Sequence, residues 1–289
     1  MHKTLFSIAI GTAIGILAAT AGAASVITSA SGSNAAGIQA SVDAFRSSLG
    51  TLNANAPGSF ADGRREINWD GVPDAQSSPN SFAANFFNVN SPRGVVFATP
   101  GTGFQVSANA ANPTSTPVEF GNIDPSYTSN FSTFSPQRLF TAIGSIITDV
   151  SFFVAGSNIA ALTQGFGAVF SDVDLASTTS LQFFGANNAS LGTFSVPQSA
   201  AANEGLSFLG VRFTEGSVIS RVRIISGNAA LAAGTLDGGN TDLVVLDDFI
   251  YGEPLAITAV PEPQNYVLML VGLGIVGAAI RRRKPTTTG

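Results

Sequence analysis

Two apolar segments, one at each end, limit what this 289-residue chain can fold into. Near the start, Lys3 precedes an apolar stretch at 5–18, which the small residues Ala21, Gly22 and Ala23 follow. A cation, an apolar stretch and a small-residue cleavage site are the three parts of a secretory signal peptide. We therefore predict a signal peptide at 1–24 that signal peptidase removes.

The second apolar segment, residues 266–280, carries no charge. Its stretch GLGIVG at 272–277 fits a dinucleotide-binding fingerprint, but no acidic residue follows it and no second strand has room to form. As a helix the segment measures about 22 Å, a short span for a hydrocarbon core of about 30 Å. We predict a transmembrane helix at 266–280, and flanking cations complete the span by reaching the interface. These stop residues are Arg281, Arg282, Arg283 and Lys284.

Pro261, Glu262 and Pro263 stand just before this segment. Two prolines fix φ and exclude a helix, so the stretch is extended and accessible. Pro-Glu-Pro, a short apolar helix and a terminal basic cluster together resemble the PEP-CTERM sorting signal of bacterial exported proteins. The resemblance implies processing near Pro-Glu-Pro by an exosortase, a membrane-embedded transpeptidase-like cysteine protease. It covers about the last 29 residues.

The cations at the two ends predict the topology. Cytoplasmic flanks are rich in Lys and Arg, so Lys3 and the terminal cluster both lie inside. Residues 25–260, the ectodomain, are then exported. We expect the C-terminal helix to anchor the protein in the membrane before processing, and a cell-surface or extracellular location afterwards.

The ectodomain lacks three chemically important side chains. The chain has no cysteine, its one histidine is His2, and its lysines are Lys3 and Lys284. Catalysis by Ser-His-Asp or Cys-His groups and zinc sites of His or Cys are therefore excluded. Eight arginines against 17 acidic residues give a net charge of −9, which repels nucleic acid. Without disulfides, stability has to come from core burial.

Hydrophobic spacing predicts one helix followed by strands. Apolar residues at 38, 42, 45 and 49 line one face of a helix at 36–49, which Gly50 ends. From Arg64 onwards, short alternating segments lie between turn residues, with hairpins predicted at 187–188 and 215–216. This pattern indicates a mainly β fold, an antiparallel β-sandwich or jelly roll with one N-terminal helix.

The domain organisation follows from these segments. We predict a helix-and-loop lead-in at 25–63, a β-sandwich domain at 64–254, a linker at 255–260 and a sorting segment at 261–289.

Two pairs of aspartates are candidate metal ligands. Asp172 and Asp174 alternate along a predicted strand and so share a face, whereas Asp247 and Asp248 point to opposite faces of the last strand. Converging carboxylates suit Ca²⁺, which binds hard oxygen ligands. We predict one structural calcium ion bound by Asp172, Asp174 and Asp248. The alternative is that these aspartates end strands and accept hydrogen bonds from loop amides, and that no cofactor is required.

The sequence favours a structural or interaction role at the cell surface or in the extracellular matrix, without catalytic residues. One alternative is a calcium-stabilised, lectin-like module that binds exopolysaccharide, with Trp69, Tyr127 and Tyr251 as the rings available for stacking. The charged residues around Trp69 in REINWDGVPD favour a capped surface strand there instead. A further alternative is glycoside hydrolysis by a carboxylate pair.

Overall fold

The computed structural model describes residues 24–199 and 201–257, with the single positions 270 and 273. Two α-helices occur in this part of the chain, α1 (Ala35–Leu49) and α2 (Phe86–Val89). The strands are β1 (Ser25–Gly32), β2 (Arg64–Ile67), β3 (Val95–Ala98), β4 (Gly103–Val106), β5 (Phe140–Ile143), β6 (Ile147–Phe152), β7 (Ala161–Leu162), β8 (Gly165–Ser171), β9 (Ser180–Phe184), β10 (Ser190–Ser195), β11 (Leu206–Phe213), β12 (Arg221–Ile225), β13 (Val245–Gly252) and β14 (Leu255–Ala256).

The strands form two large sheets and one small one. The larger has the order β1-β11-β8-β13-β5-β4, with β2 also paired to β13. The second has the order β10-β9-β12-β6-β3, and β14 pairs with β7. The strand pairs in all three sheets are antiparallel. The prediction of a mainly β, antiparallel fold is therefore confirmed.

Side chains of both large sheets meet in one apolar core. Trp69 lies at its centre and stacks on Phe140, with ring centroids 4.1 Å apart and planes within 5°. Its indole N–H donates to the backbone oxygen of Asp247 at 2.8 Å, which satisfies the buried polar atom. Because residues 24–257 contain both sheets and their core, we treat them as a domain that folds by itself.

The buried position of Trp69 corrects its interpretation as part of a surface strand. Trp69 follows β2 with a φ of 65°, in the left-handed region. Burial alternates along 64–69, with Arg65, Ile67 and Trp69 buried, so the ring continues the inward-facing set of β2. Only 1 % of Trp69 is exposed.

The helix predicted at 36–49 is confirmed as α1. It covers the outer face of the larger sheet with its buried residues Ile38, Val42, Phe45 and Leu49. Asn34 caps it by accepting a hydrogen bond from the N–H of Gly37. Phe45 packs against β8 and β11 at Gly167 and Gly210, where an added Cβ would approach the Phe45 ring to 2.8 and 2.6 Å. Glycine is thus needed at both positions so that the helix can approach the sheet.

The two predicted hairpins have different outcomes. Strands β9 and β10 pair around Asn187 and Asn188, both with positive φ, so that hairpin is confirmed. The hairpin at Glu215-Gly216 is wrong, because β11 belongs to the larger sheet and β12 to the smaller. The chain passes between the layers at this turn, and β12 pairs with β6 and β9 instead.

The predicted lead-in at 25–63 also needs correction, because it belongs to the folded domain. Strand β1 pairs with β11 over its whole length, from Ser25 with Phe213 to Gly32 with Leu206. Its large apolar residues, Val26 and Ile27, are adjacent and both exposed, so the strand has no apolar alternation that would indicate it.

The predicted signal peptide and sorting segment lie almost wholly outside the described residues. Among the helices that the structure describes, none has the length and apolar character to cross a membrane.

A buried ion pair joins β2 to the end of β13. The Arg65 guanidinium donates from Nε and Nη2 to the two carboxylate oxygens of Glu253, at 2.6 and 2.8 Å. Both side chains are buried. Glu253 also accepts from Asn53 and from the N–H of Phe60, so the pair fastens the loop at 51–63 to the sheet.

We predict that Glu253→Ala destabilises the domain by about 3 to 5 kcal/mol, because it leaves the buried Arg65 charge without its partner. Urea unfolding of residues 24–257 measures this. The control is Asp43→Ala, which removes an exposed partner of Arg46 and should cost less than about 1 kcal/mol. Equal losses in the two variants would contradict the assignment of Arg65–Glu253 as a principal contact.

Candidate functional sites

An acidic cluster forms where β8 ends. The strand ends at Ser171 and Asp172 takes a φ of 72°, so Asp172 and Asp174 lie in a loop and not on one strand face as predicted. The N–H of Asp172 donates to the oxygen of Gly205 at 2.8 Å. A carboxylate oxygen from each of Asp172, Asp174 and Asp237 lies within 4.8 Å of the others.

Asp172 is the unusual member of the cluster. It is fully buried, and neither of its carboxylate oxygens has a hydrogen-bond partner among the described residues. One carboxylate oxygen of Asp174 is buried and unpartnered in the same part of the structure. An ionised carboxylate left in this state costs several kcal/mol. Nothing in the described protein offsets that cost.

The pKa values of these aspartates also show that their negative charges are not compensated. Burial, and then the charges of Asp174 and Asp237, together raise the pKa of Asp172 to about 9. Burial, with Asp237 and Asp242 beside it, raises the pKa of Asp174 to about 6. No salt bridge within the described residues includes a member of this cluster.

Two aspartates from the loop before β13 complete the arrangement, and sequence reasoning missed both. Asp237 accepts a hydrogen bond from the N–H of Leu243 at 2.8 Å. Asp242 accepts from the N–H of Asp174 at 2.8 Å and from the Thr178 hydroxyl, so it positions the loop. The one available signal was the acid-bracketed glycine turn in LDGGNTD at 236–242.

Asp248 does not join this cluster, which corrects the predicted set of ligands. Its carboxylate accepts from Arg46 at 3.0 Å and from the Ser135 hydroxyl at 2.7 Å. The register of β13 against β8 shifts between Leu246 and Phe249, so the two aspartates do not follow simple alternation. Asp247 is buried and accepts from the N–H of Phe134 at 2.6 Å.

A polar cleft of about 480 Å³ opens beside Asp248. It lies between α1, β2 and the turn at 134–136. Arg46 crosses it and forms ion pairs with Glu66 and Asp248 at 3.1 and 3.0 Å. The lining also includes the amide side chains of Gln39, Asn55 and Asn68.

The rings available for sugar stacking do not reach this cleft or the surface. Trp69, Tyr127 and Tyr251 are all buried. The hydroxyl of Tyr127 donates to the backbone oxygens of Ala232 and Thr235, each at 2.9 Å. These three residues therefore act in packing.

The sorting residues Pro261, Glu262 and Pro263 and the basic cluster at 281–284 lie outside the described residues. The last described strand, β14, ends at Ala256.

The described residues thus define a mainly β domain that precedes a C-terminal tail. Comparison with family models matches that tail, residues 259–284, to the PEP-CTERM protein-sorting motif. The chain carries a PEP-CTERM sorting signal, which implies an exported protein with a membrane-anchored C-terminal signal that an exosortase processes. The resemblance stated from the sequence is confirmed for this segment, and the match does not extend to the domain.

Comparisons of the whole chain add little about the domain. None of the curated proteins matches it. One solved structure, a glycoside hydrolase family 43 arabinoxylan arabinofuranohydrolase from Bacillus subtilis in complex with cellotetraose, is similar at 15% identity with a TM-score of 0.25. The match covers 57% of this chain and 27% of that one. At that TM-score the likeness supports no argument about fold or activity.

We predict that Asp247→Asn flattens the pH dependence of stability. Burial, and then the charge of Asp248, raise the pKa of Asp247 well above its usual range. The folded state therefore holds a proton that the unfolded state releases near pH 4, and stability falls as the pH rises from there towards the folded pKa. Within that window the wild type should lose about 1.4 kcal/mol per pH unit more than the variant.

Urea unfolding of residues 24–257 at a series of pH values above 5 measures this difference. Asp43→Asn is the control, because a hydrogen bond from Gln39 lowers the pKa of Asp43 and the group is ionised in both states there. Parallel curves for wild type and Asp247→Asn would show that Asp247 is ionised in the folded protein.

Proposed function

We propose that this protein is a cell-surface or extracellular-matrix-associated protein whose domain has a structural or interaction role and no catalytic activity. The sorting motif at 259–284 is the observation that carries the proposal. It begins three positions after β14 ends at Ala256, so the domain is held close to its sorting signal. A signal peptide at 1–24 and a transmembrane helix at 266–280 complete the proposed topology.

The layered sheets fit this role. We infer a β-sandwich of the jelly-roll type, with α1 packed outside it. The domain has no disulfide to lose, since the chain contains no cysteine, and it relies on a continuous aromatic core. Such a domain keeps its fold outside the cell independently of redox conditions.

The contacts of the cleft carboxylates support a non-enzymatic role. Glu66 binds Arg46 and Arg64, and Asp248 binds Arg46 and Ser135. A general acid or nucleophile in glycoside hydrolysis has to approach the sugar, whereas these two carboxylates are already engaged by arginines.

Replacing Pro261, Glu262 and Pro263 with alanine should abolish exosortase processing. We expect the full-size protein to accumulate in the membrane fraction, as it should in cells that lack the exosortase. Immunoblots of cell fractions measure size and location. Asp43→Ala, on the exposed side of α1, should be processed like the wild type.

An unchanged size and location in both the motif variant and the exosortase-deficient cells would contradict the proposed sorting. A soluble cytoplasmic pool of wild-type protein would contradict export itself.

A second candidate function is carbohydrate binding in the polar cleft. The observation in its favour is the lining of exposed amides beside charged groups, which suits the hydroxyl groups of a polysaccharide. Recognition would depend on hydrogen bonds, because Trp69 and the two tyrosines are buried. Exopolysaccharide is the proposed ligand.

Calorimetric titration with exopolysaccharide fragments tests this candidate. Asn55→Ala and Asn68→Ala should each weaken binding by about 2- to 10-fold, the effect of one lost hydrogen bond. Asn122→Ala, at an exposed position away from the cleft lining, should bind as the wild type does. Absence of binding, or equal losses in all three variants, would contradict the assignment of the cleft.

A further inference from the structure

We propose that the acidic cluster of Asp172, Asp174 and Asp237 binds one Ca²⁺ ion that ties the loop after β8 to the loop before β13. The site is distinct from the polar cleft and from the sorting motif. It does not depend on the proposed function, since it rests on the domain alone.

The first argument is the state of Asp172. The side chain is fully buried, both of its oxygens lack a hydrogen-bond partner among the described residues, and one of them faces the carboxylates of Asp174 and Asp237. Buried carboxylates are normally hydrogen-bonded, paired with a cation or bound to a metal. The described protein supplies neither of the first two, so either a proton or a metal has to compensate the group, and the nearby carboxylates of Asp174 and Asp237 favour a metal.

The second argument is distance. Two oxygen ligands of one Ca²⁺ ion, each at about 2.4 Å, can lie no more than about 4.8 Å apart. The oxygens of the three aspartates meet this limit pairwise. Chain contacts hold them in place, because Asp242 binds the N–H of Asp174 and the N–H of Leu243 binds Asp237.

The third argument concerns the identity of the ion. The cluster offers carboxylate oxygens, and the ectodomain has no histidine or cysteine to favour zinc or another transition metal. Ca²⁺ takes six to eight oxygens in flexible geometry, whereas Mg²⁺ requires a near-ideal octahedron and keeps several waters. A fully buried, dehydrated ligand such as Asp172 suits Ca²⁺ better.

The fourth argument concerns how an ion reaches the cluster and how its binding would affect the stability of the domain. A pocket of about 350 Å³ lined by Asp174, Gln198 and Thr241 opens beside the cluster and gives an ion a path from solvent. The cluster lies at the ends of β8, β11 and β13, neighbours in the larger sheet. An ion here would fix these ends together, so calcium should raise the melting temperature of the domain.

Thermal melting of residues 24–257 in EDTA and in CaCl₂ tests the proposal. At calcium concentrations of about 100 times its Kd, we expect an increase of about 5 to 10 °C in Tm. Titration calorimetry with CaCl₂ should give one ion per chain, and MgCl₂ at the same concentration should give a smaller shift in Tm.

Asp174→Asn and Asp237→Asn should each remove most of the calcium-dependent shift. Asp62→Asn, an exposed loop aspartate, is the matched control and should keep it. If Asp174→Asn does not fold, Asp237→Asn decides, because this partly exposed loop residue can be changed with less disturbance.

Three results would overturn the proposal. Superimposed wild-type curves in EDTA and calcium would show that no ion binds. A shift that survives Asp237→Asn would place the ion elsewhere, and an equal shift in magnesium would contradict the choice of calcium. None of these results bears on sorting, which is measured in cells.

Discussion

A buried carboxylate has to be compensated, and this domain has eight arginines for 17 acidic residues. The arginines are used where chain segments must be joined. Arg65 and Glu253 join β2 to the end of β13, and two further arginines hold Asp149 on β6. No arginine pairs with the group around Asp172 in the described structure. The domain thus has too few cations to pair with every acidic residue, and the cluster around Asp172 is left for the proposed metal ion.

The absence of cysteine also affects how the domain is stabilised. A chain without cysteine cannot use disulfides outside the cell, so the core between the two sheets supplies most of the stability. Calcium would add a second constraint at one end of the larger sheet, where apolar packing gives way to loops. Glu253 adds another near the C-terminal end of the domain, directly after β13. Both constraints act on β13, the strand that leads towards the sorting signal.

Local patterns in the sequence predicted local structure well. The spacing at 38, 42, 45 and 49 gave helix α1, and the two asparagines at 187–188 gave a hairpin. Features that depend on distant contacts were not predictable in the same way. The turn at Glu215-Gly216 has the local pattern of a hairpin, yet β11 and β12 lie in different sheets, and no period in the sequence reveals this.

In the candidate metal site, too, local patterns predict some residues, and distant contacts decide the others. Asp172 and Asp174 were identified from their spacing, although they converge through a loop and not through a strand. Asp237 comes from a segment 63 positions later in the chain, and nothing near Asp174 indicates it. The sequence predicts Asp248, on the last strand, as a third ligand, but Arg46, 202 positions away in the chain, binds it.

The central claim is that an ion compensates the buried charge of Asp172. A crystal structure of residues 24–257 grown with calcium tests it most directly. We expect a single strong density peak between Asp172, Asp174 and Asp237, with oxygen distances of about 2.3 to 2.6 Å. A cluster without an ion, in which Asp172 is protonated and donates a hydrogen bond to a neighbouring carboxylate, would contradict the account.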